Sequence, residues 1–208
     1  MIRMMLFFVV LLLLGGCATT QPNVQNEKQG FLPYDVLIKM DKFQPETKTL
    51  EGSAIELTSF FSFKDFVAGD VVSVVPKYIF GKEVSTYNIQ LIRLGRNWIF
   101  INEMIFLIND KPISVKALPQ PYREVLAGNT VMEQPIFIIT DELFDLITKQ
   151  NKIHVRFVGD KYYSEYEIDS TTINHLLLFY KTSKLYEQCR IDATNCKNKD
   201  KLGIPFGN

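Results

Sequence analysis

Lys152-Ile153-His154-Val155-Arg156-Phe157-Val158-Gly159-Asp160-Lys161-Tyr162-Tyr163-Ser164-Glu165-Tyr166-Glu167-Ile168 is the stretch whose reading decides the fold. Apolar and polar residues alternate on either side of Gly159-Asp160, the period of a half-buried strand. Gly159-Asp160 suits a type II′ turn, so the two runs are expected to close into a β-hairpin. A two-residue loop sets Ile153, Val155 and Phe157 on one face with Tyr162, Ser164, Tyr166 and Ile168. His154 and Arg156 then share the other face with Tyr163, Glu165 and Glu167. A loop of odd length would put the aliphatic row on the carboxylate face, so this register is favoured.

Helices flank the hairpin. Thr140 is placed to cap a helix with Asp141 and Glu142 in its first turn, Leu143, Phe144 and Ile147 as apolar positions, and Lys149 in its last turn. Ser170 is placed to cap a second helix, with a stripe of Ile173, Leu176, Leu177 and Tyr180, and Lys181 and Lys184 near its C-terminus. Upstream, strands are expected over residues 34–40, 53–61 and 71–80, separated by Pro45, Gly69-Asp70 and Gly81. Tyr87, Ile89 and Leu91 alternate with polar residues, and Gly95-Arg96-Asn97 predicts a hairpin turn into Trp98-Ile99-Phe100-Ile101. The run Met104-Ile105-Phe106-Leu107-Ile108 predicts burial on both faces, followed by a turn at Asn109-Asp110-Lys111-Pro112. A further strand is expected over residues 131–140. Pro76 and Pro135 each call for an edge, a bulge or a break, because proline has no amide hydrogen for a ladder. The pattern predicts an α+β fold, a mostly antiparallel β-sheet or sandwich with two C-terminal helices.

Composition narrows the function classes. Lys plus Arg number 23 and Asp plus Glu number 23, so there is no basic footprint for a nucleic-acid partner. Aromatic residues make up 12% of the chain, more than a disordered tether carries. The 208 residues divide into a leader over 1–16, a polar spacer over 17–32, one domain over 33–187 and a tail over 188–208.

The leader has Arg3, an apolar run over 4–14, and Leu14-Gly15-Gly16-Cys17. That run is too short to span a bilayer, which takes about 20 apolar residues. The segment resembles the lipobox of bacterial lipoproteins. The resemblance implies a diacylglyceryl group on the Cys17 sulfur, cleavage before it, and acylation, by palmitate for example, of the new amine. Ala18 in place of Asp implies sorting to the outer membrane, facing the periplasm. Several acyl chains on Cys17 would make membrane lipid a permanent partner. Residues 84–180, with Trp98 and Val155-Arg156-Phe157-Val158-Gly159, are similar to a β module of uncharacterised bacterial exported proteins, a likeness that brings no activity with it.

Four sets of residues are candidates for chemistry or binding. Phe60, Phe61, Phe63 and Phe66 concentrate aromatic surface in Phe60-Phe61-Ser62-Phe63-Lys64-Asp65-Phe66; they either line a groove for an apolar ligand or envelope protein, or belong to the core. His154, Glu165 and Glu167 form a polar cluster, either a catalytic or metal site or a row of solvated cross-strand charges. The other histidine, His175, reads as a partly buried packing or capping residue. Cys189 and Cys196 are expected to pair in an exported protein, a bridge worth roughly 2–3 kcal/mol; two free thiols or a partner-linked thiol are the alternatives. There is no Gly-x-Ser-x-Gly, His-Glu-x-x-His, phosphate-loop or dinucleotide motif, so no cofactor is implied. A site assembled from distant carboxylates such as Asp65, Asp70 and Glu103 is still open. Tyr122-Arg123-Glu124 and Lys197, Lys199 and Lys201 read as solvated surface. The reading that results is a membrane-anchored, non-catalytic binding module. A periplasmic enzyme and a structural component of an envelope complex are the alternatives.

Overall fold

The computed structural model describes residues 36–40, 47–59, 70–81 and 85–191. Cys17, the spacer, Phe60, Phe61, Phe63, Asp65, Phe66, Cys196 and the tail lysines lie outside the described residues. The fold is α+β, as expected, and every strand pairing is antiparallel. The first sheet runs β1 (Leu37–Met40), β2 (Lys48–Glu51), β5 (Val71–Phe80), β6 (Ser85–Gly95), β10 (Thr130–Gln134), β9 (Tyr122–Leu126), with β3 (Ile55–Glu56) also on β5 and β11 (Ile136–Ile139) also on β6. The second runs β4 (Thr58–Ser59), β13 (Tyr163–Ile168), β12 (Ile153–Gly159), β7 (Ile101–Ile108), β8 (Lys111–Lys116). Helix α1 (Asp141–Thr148) lies between β11 and β12, and α2 (Ser170–Ile191) follows β13.

The two sheets are stitched together twice around one core. On one side Ala117 bridges Phe137, and the Leu118 amide donates to the Ile136 carbonyl at 2.8 Å. On the other side the expected single strand over 53–61 divides: β3 pairs with β5, the Leu57 amide donates to the Val72 carbonyl at 2.8 Å, and β4 pairs with β13. Phe106, Phe137, Phe157, Leu91 and Ile101 fill the space between the sheets and belong to one buried cluster.

The prolines sit where strands change neighbours. The Pro76 carbonyl accepts from the Gly52 amide at 2.9 Å. Its nitrogen points to the same side, at the gap between β2 and β3, and the ladder to β6 runs on unbroken. Pro135 interrupts the ladder between β10 and β11 without a bulge: Glu133 lies opposite Arg93 and Ile136 opposite Gln90, an equal step on both strands.

Gly95-Arg96-Asn97 makes no hairpin, contrary to the expectation, because β6 and β7 belong to different sheets. Residues 96–100 turn a corner between them, and long-range ionic contacts hold it. Arg93 and Glu133, 2% and 1% exposed, pair at 3.1 Å, and Arg93 also reaches Asp70 at 2.5 Å and the Asn97 carbonyl at 2.7 Å. The Glu133 carboxylate accepts the amides of Ile99 at 2.7 Å and Ile101 at 3.0 Å. Every partner in this buried network is satisfied, which such a network requires. Gly95 leaves room for it: a Cβ there would lie 2.3 Å from an Asp70 oxygen.

The hairpin of β12 and β13 forms with the expected faces and a displaced turn. Gly159 pairs with Tyr162, its amide donating to that carbonyl at 2.9 Å, so Asp160 and Lys161 occupy the turn. Gly128 is the only glycine with positive φ among the described residues, which rules out the type II′ turn at Gly159. Gly159 serves close packing instead, since a Cβ would lie 1.9 Å from the Ile99 carbonyl oxygen. The β7–β8 turn is Asn109-Asp110, with φ of 50° and 61° at its two residues, the left-handed pair of a type I′ turn.

Both helices pack at the end of the sheets away from that corner. Thr140 caps α1 through the Leu143 amide at 3.2 Å, as expected. Asp169, one residue before the expected Ser170, caps α2 through the Thr172 amide at 2.8 Å. The buried positions of α2 include Ile173, Leu176, Phe179 and Tyr186, whereas Leu177 and Tyr180 are half-buried. Tyr87 packs on Phe144 at 4.8 Å and Phe80 on Tyr186 at 4.7 Å, joining the sheet to both helices.

Among the described residues three carboxyls sit below their ordinary values. Partial burial raises that of Glu51, but Lys39 and Lys77 outweigh it. The Ser114 hydroxyl and then Lys116 lower Glu103, and the Thr172 amide lowers Asp169. A carboxyl with a depressed folded-state value contributes stability above its unfolded value and loses it as pH falls through the folded one. The melting temperature is therefore expected to fall as pH drops below about 4, less steeply in Asp169→Asn. Melts that do not move between neutral and acid pH would contradict this.

Candidate binding face

Strand β7 alternates, with Ile101, Met104, Phe106 and Ile108 buried and Leu107 exposed at 41%. The expected burial on both faces does not occur. Ile105 and Leu107 turn outward because the second sheet has the core on one side only.

Register aligns the outward residues in rows. Leu107 lies opposite Pro112 on β8 and His154 on β12, and His154 lies opposite Glu167 on β13. In the next row Ile105 lies between Ser114 and Arg156, and Arg156 lies opposite Glu165. Together Ile105, Leu107, Pro112, His154, Val155, Arg156 and Glu165 line a cavity of about 340 Å³, within the range of small-ligand pockets. Its floor is aliphatic and its margin polar.

The sheet therefore brings His154, Glu165 and Glu167 onto one face, as expected, but cations engage the carboxylates. Arg156 Nε donates to Glu165 at 2.6 Å, and Lys152 meets Glu167 at 2.5 Å. The Arg156 guanidinium also stacks over the Tyr163 ring at 4.7 Å. At the end of the face Ser114 and Lys116 both engage Glu103. Among the described residues no three of His, Cys, Asp and Glu are grouped to hold a metal ion.

The other candidates are dispersed. Asp70 belongs to the Arg93 network and Glu103 to the outer face, so the two do not share a site with each other. His175 is exposed on α2 rather than partly buried. Tyr122 Oη donates to Glu124 at 2.7 Å on the exposed strand β9, while Arg123 stacks over Phe100 at 5.1 Å. Cys189 is buried near the end of α2, and Cys196 lies outside the described residues. Burial, followed by the charge of Asp141, pushes the Tyr180 phenol up to about 12, and burial raises Tyr87 as well. Both stay protonated near neutrality and act as packing groups.

The chain matches no family model, no curated protein and no solved structure. No helix among the described residues is long and apolar enough to cross a membrane. The aliphatic floor of Ile105, Leu107 and Pro112 is the feature that sequence reading misses. Its only signal there is the 104–108 run, whose hydropathy is the same for a strand covered on one face or on two.

Proposed function

We propose that this chain is a lipid-anchored protein of the bacterial envelope, held by an acylated Cys17, that acts as a non-catalytic binding module facing the periplasm. Its binding site is the outer face of the second sheet, and its occupant is an apolar ligand or an apolar segment of an envelope protein. The observation that carries this is the open aliphatic floor of Ile105, Leu107 and Pro112 ringed by His154, Arg156 and Glu165. Such a floor favours burial of apolar surface, worth about 25 cal/mol per Å² before the costs of association. The polar margin would orient what binds. With its carboxylates neutralised by Arg156 and Lys152, the His154 cluster serves better as a rim than as an acid–base pair. The pairing of Cys189 with Cys196 is part of the proposal and would fasten the tail to the end of α2.

The test is a photocrosslinking amino acid at Leu107 in the full chain, with the exposed helix position Leu178 as control. A discrete adduct at Leu107, absent at Leu178 and lost on Ile105→Asp in a protein that still melts cooperatively, is expected. Equal labelling at both positions, or no adduct at either, would remove the binding face from the proposal. The anchor has its own check: palmitate labelling is expected in the parent and lost in Cys17→Ser.

A further inference from the structure

We infer that the end of the fold opposite the helices is a membrane-contact rim that rests on a phospholipid surface. The corner 96–100 and the tip of the β12–β13 hairpin meet there, with Gly159 opposite Ile101 and Asn102 Nδ2 donating to Asp160 at 2.9 Å. Four aromatic residues gather at this end. Trp98 stacks on Phe100 at 5.8 Å, and Phe100, Tyr162 and Tyr163 are 41%, 61% and 62% exposed. Arg123, stacked over Phe100, and the exposed Lys161 stand beside them. Ring systems with a polar edge settle where hydrocarbon meets headgroups, and long basic side chains reach from there to phosphate.

The direction of the first described strand is compatible with the same occupant. Strand β1 is antiparallel to β2, which is antiparallel to β5, so β1 and β5 run the same way. Strand β5 starts at the rim with Val71, opposite Leu94, and ends at Phe80 beside α2. Strand β1 therefore points away from the rim, although its first residue, Leu37, lies level with Lys77 through Glu51, nearer the helix end. A spacer of that length extends to about 60 Å, so an anchor alone leaves the domain free to stand off the bilayer, whereas a docking rim lays it down in one orientation. The proposal draws on the reading of Cys17 only for a membrane nearby, and of its residues Tyr163 alone also borders the face around Leu107, where Arg156 stacks on it.

Trp98 is the only tryptophan in the chain, so its fluorescence reports on the rim without labelling. The full-length protein, purified from membranes, is reconstituted into mixed zwitterionic and anionic phospholipid vesicles with brominated acyl chains. A blue shift and quenching of Trp98 are expected. Both should be lost when Phe100, Tyr162 and Tyr163 are each replaced by Ser, although that variant still floats with the vesicles if Cys17 is acylated. Unquenched Trp98 in protein that floats overturns the rim and leaves the anchor standing. Quenching that survives in a Cys17→Ser protein supports a rim that binds without the anchor, whose own check is palmitate labelling. Equal quenching in parent and triple variant, or no quenching with no flotation, overturns the rim. Melting temperatures of the variants show that the substitutions spare the fold.

Discussion

Glu133→Ala is expected to destabilise the fold by about 3–5 kcal/mol, the range for removing one partner of a buried charge pair. Glu133 is 1% exposed and does three things at once: it neutralises Arg93 and accepts the amides of Ile99 and Ile101. Truncation leaves a buried guanidinium with Asp70 as its remaining carboxylate and two amides without a protein acceptor. Urea unfolding is the measurement. Arg93→Met and Glu133→Leu combined with Asp70→Asn is expected to recover part of the loss, because no uncompensated charge is left while the amides still lack acceptors. An alanine variant within about 0.5 kcal/mol of the parent, the scatter of surface substitutions, would mean that the network does not hold the corner.

Gly159→Ala is the second large effect, about 2–3 kcal/mol, toward the upper end for overpacking a tight site. The added methyl would meet the Ile99 carbonyl oxygen at 1.9 Å and its carbon at 2.7 Å. Both are backbone atoms, so no rotamer change relieves the clash. Either the hairpin tip lifts from the corner or the corner moves, and in both cases the Gly159 pairing with Ile101 is strained. Denaturant unfolding gives the magnitude. Amide exchange locates the effect, with faster exchange expected in β12 beside Val158 than in the helices. Wild-type stability would show that the close approach carries no load.

The hairpin over residues 152–168 shows what sequence reading can reach. Moving the turn from Gly159-Asp160 to Asp160-Lys161 shifts both strands by one residue, so opposed residues still share a face and the core and solvent rows survive. The helix capped by Thr140 is legible because its start signal and its buried positions are local. The corner is not. Gly95-Arg96-Asn97 carries the chemistry of a hairpin turn, and what holds the corner that takes β7 into the other sheet is Glu133, more than thirty residues further along the chain. Ile105 and Leu107 show a second limit, since hydropathy records that a residue is greasy but not whether a neighbour covers it. Phe60, Phe61, Phe63 and Phe66 lie outside the described residues, and Pro112, read from the sequence as a turn residue, belongs to the candidate face.

Residues 55–59 give one short run of backbone to both sheets, with the Leu57 amide bonded to Val72 between the two pairings. Loss of the second sheet alone would break this shared run, so the two sheets are expected to melt together. A protein that opens only all at once presents proteases with few half-folded forms, and its exposed faces stay in fixed relation for as long as it is folded.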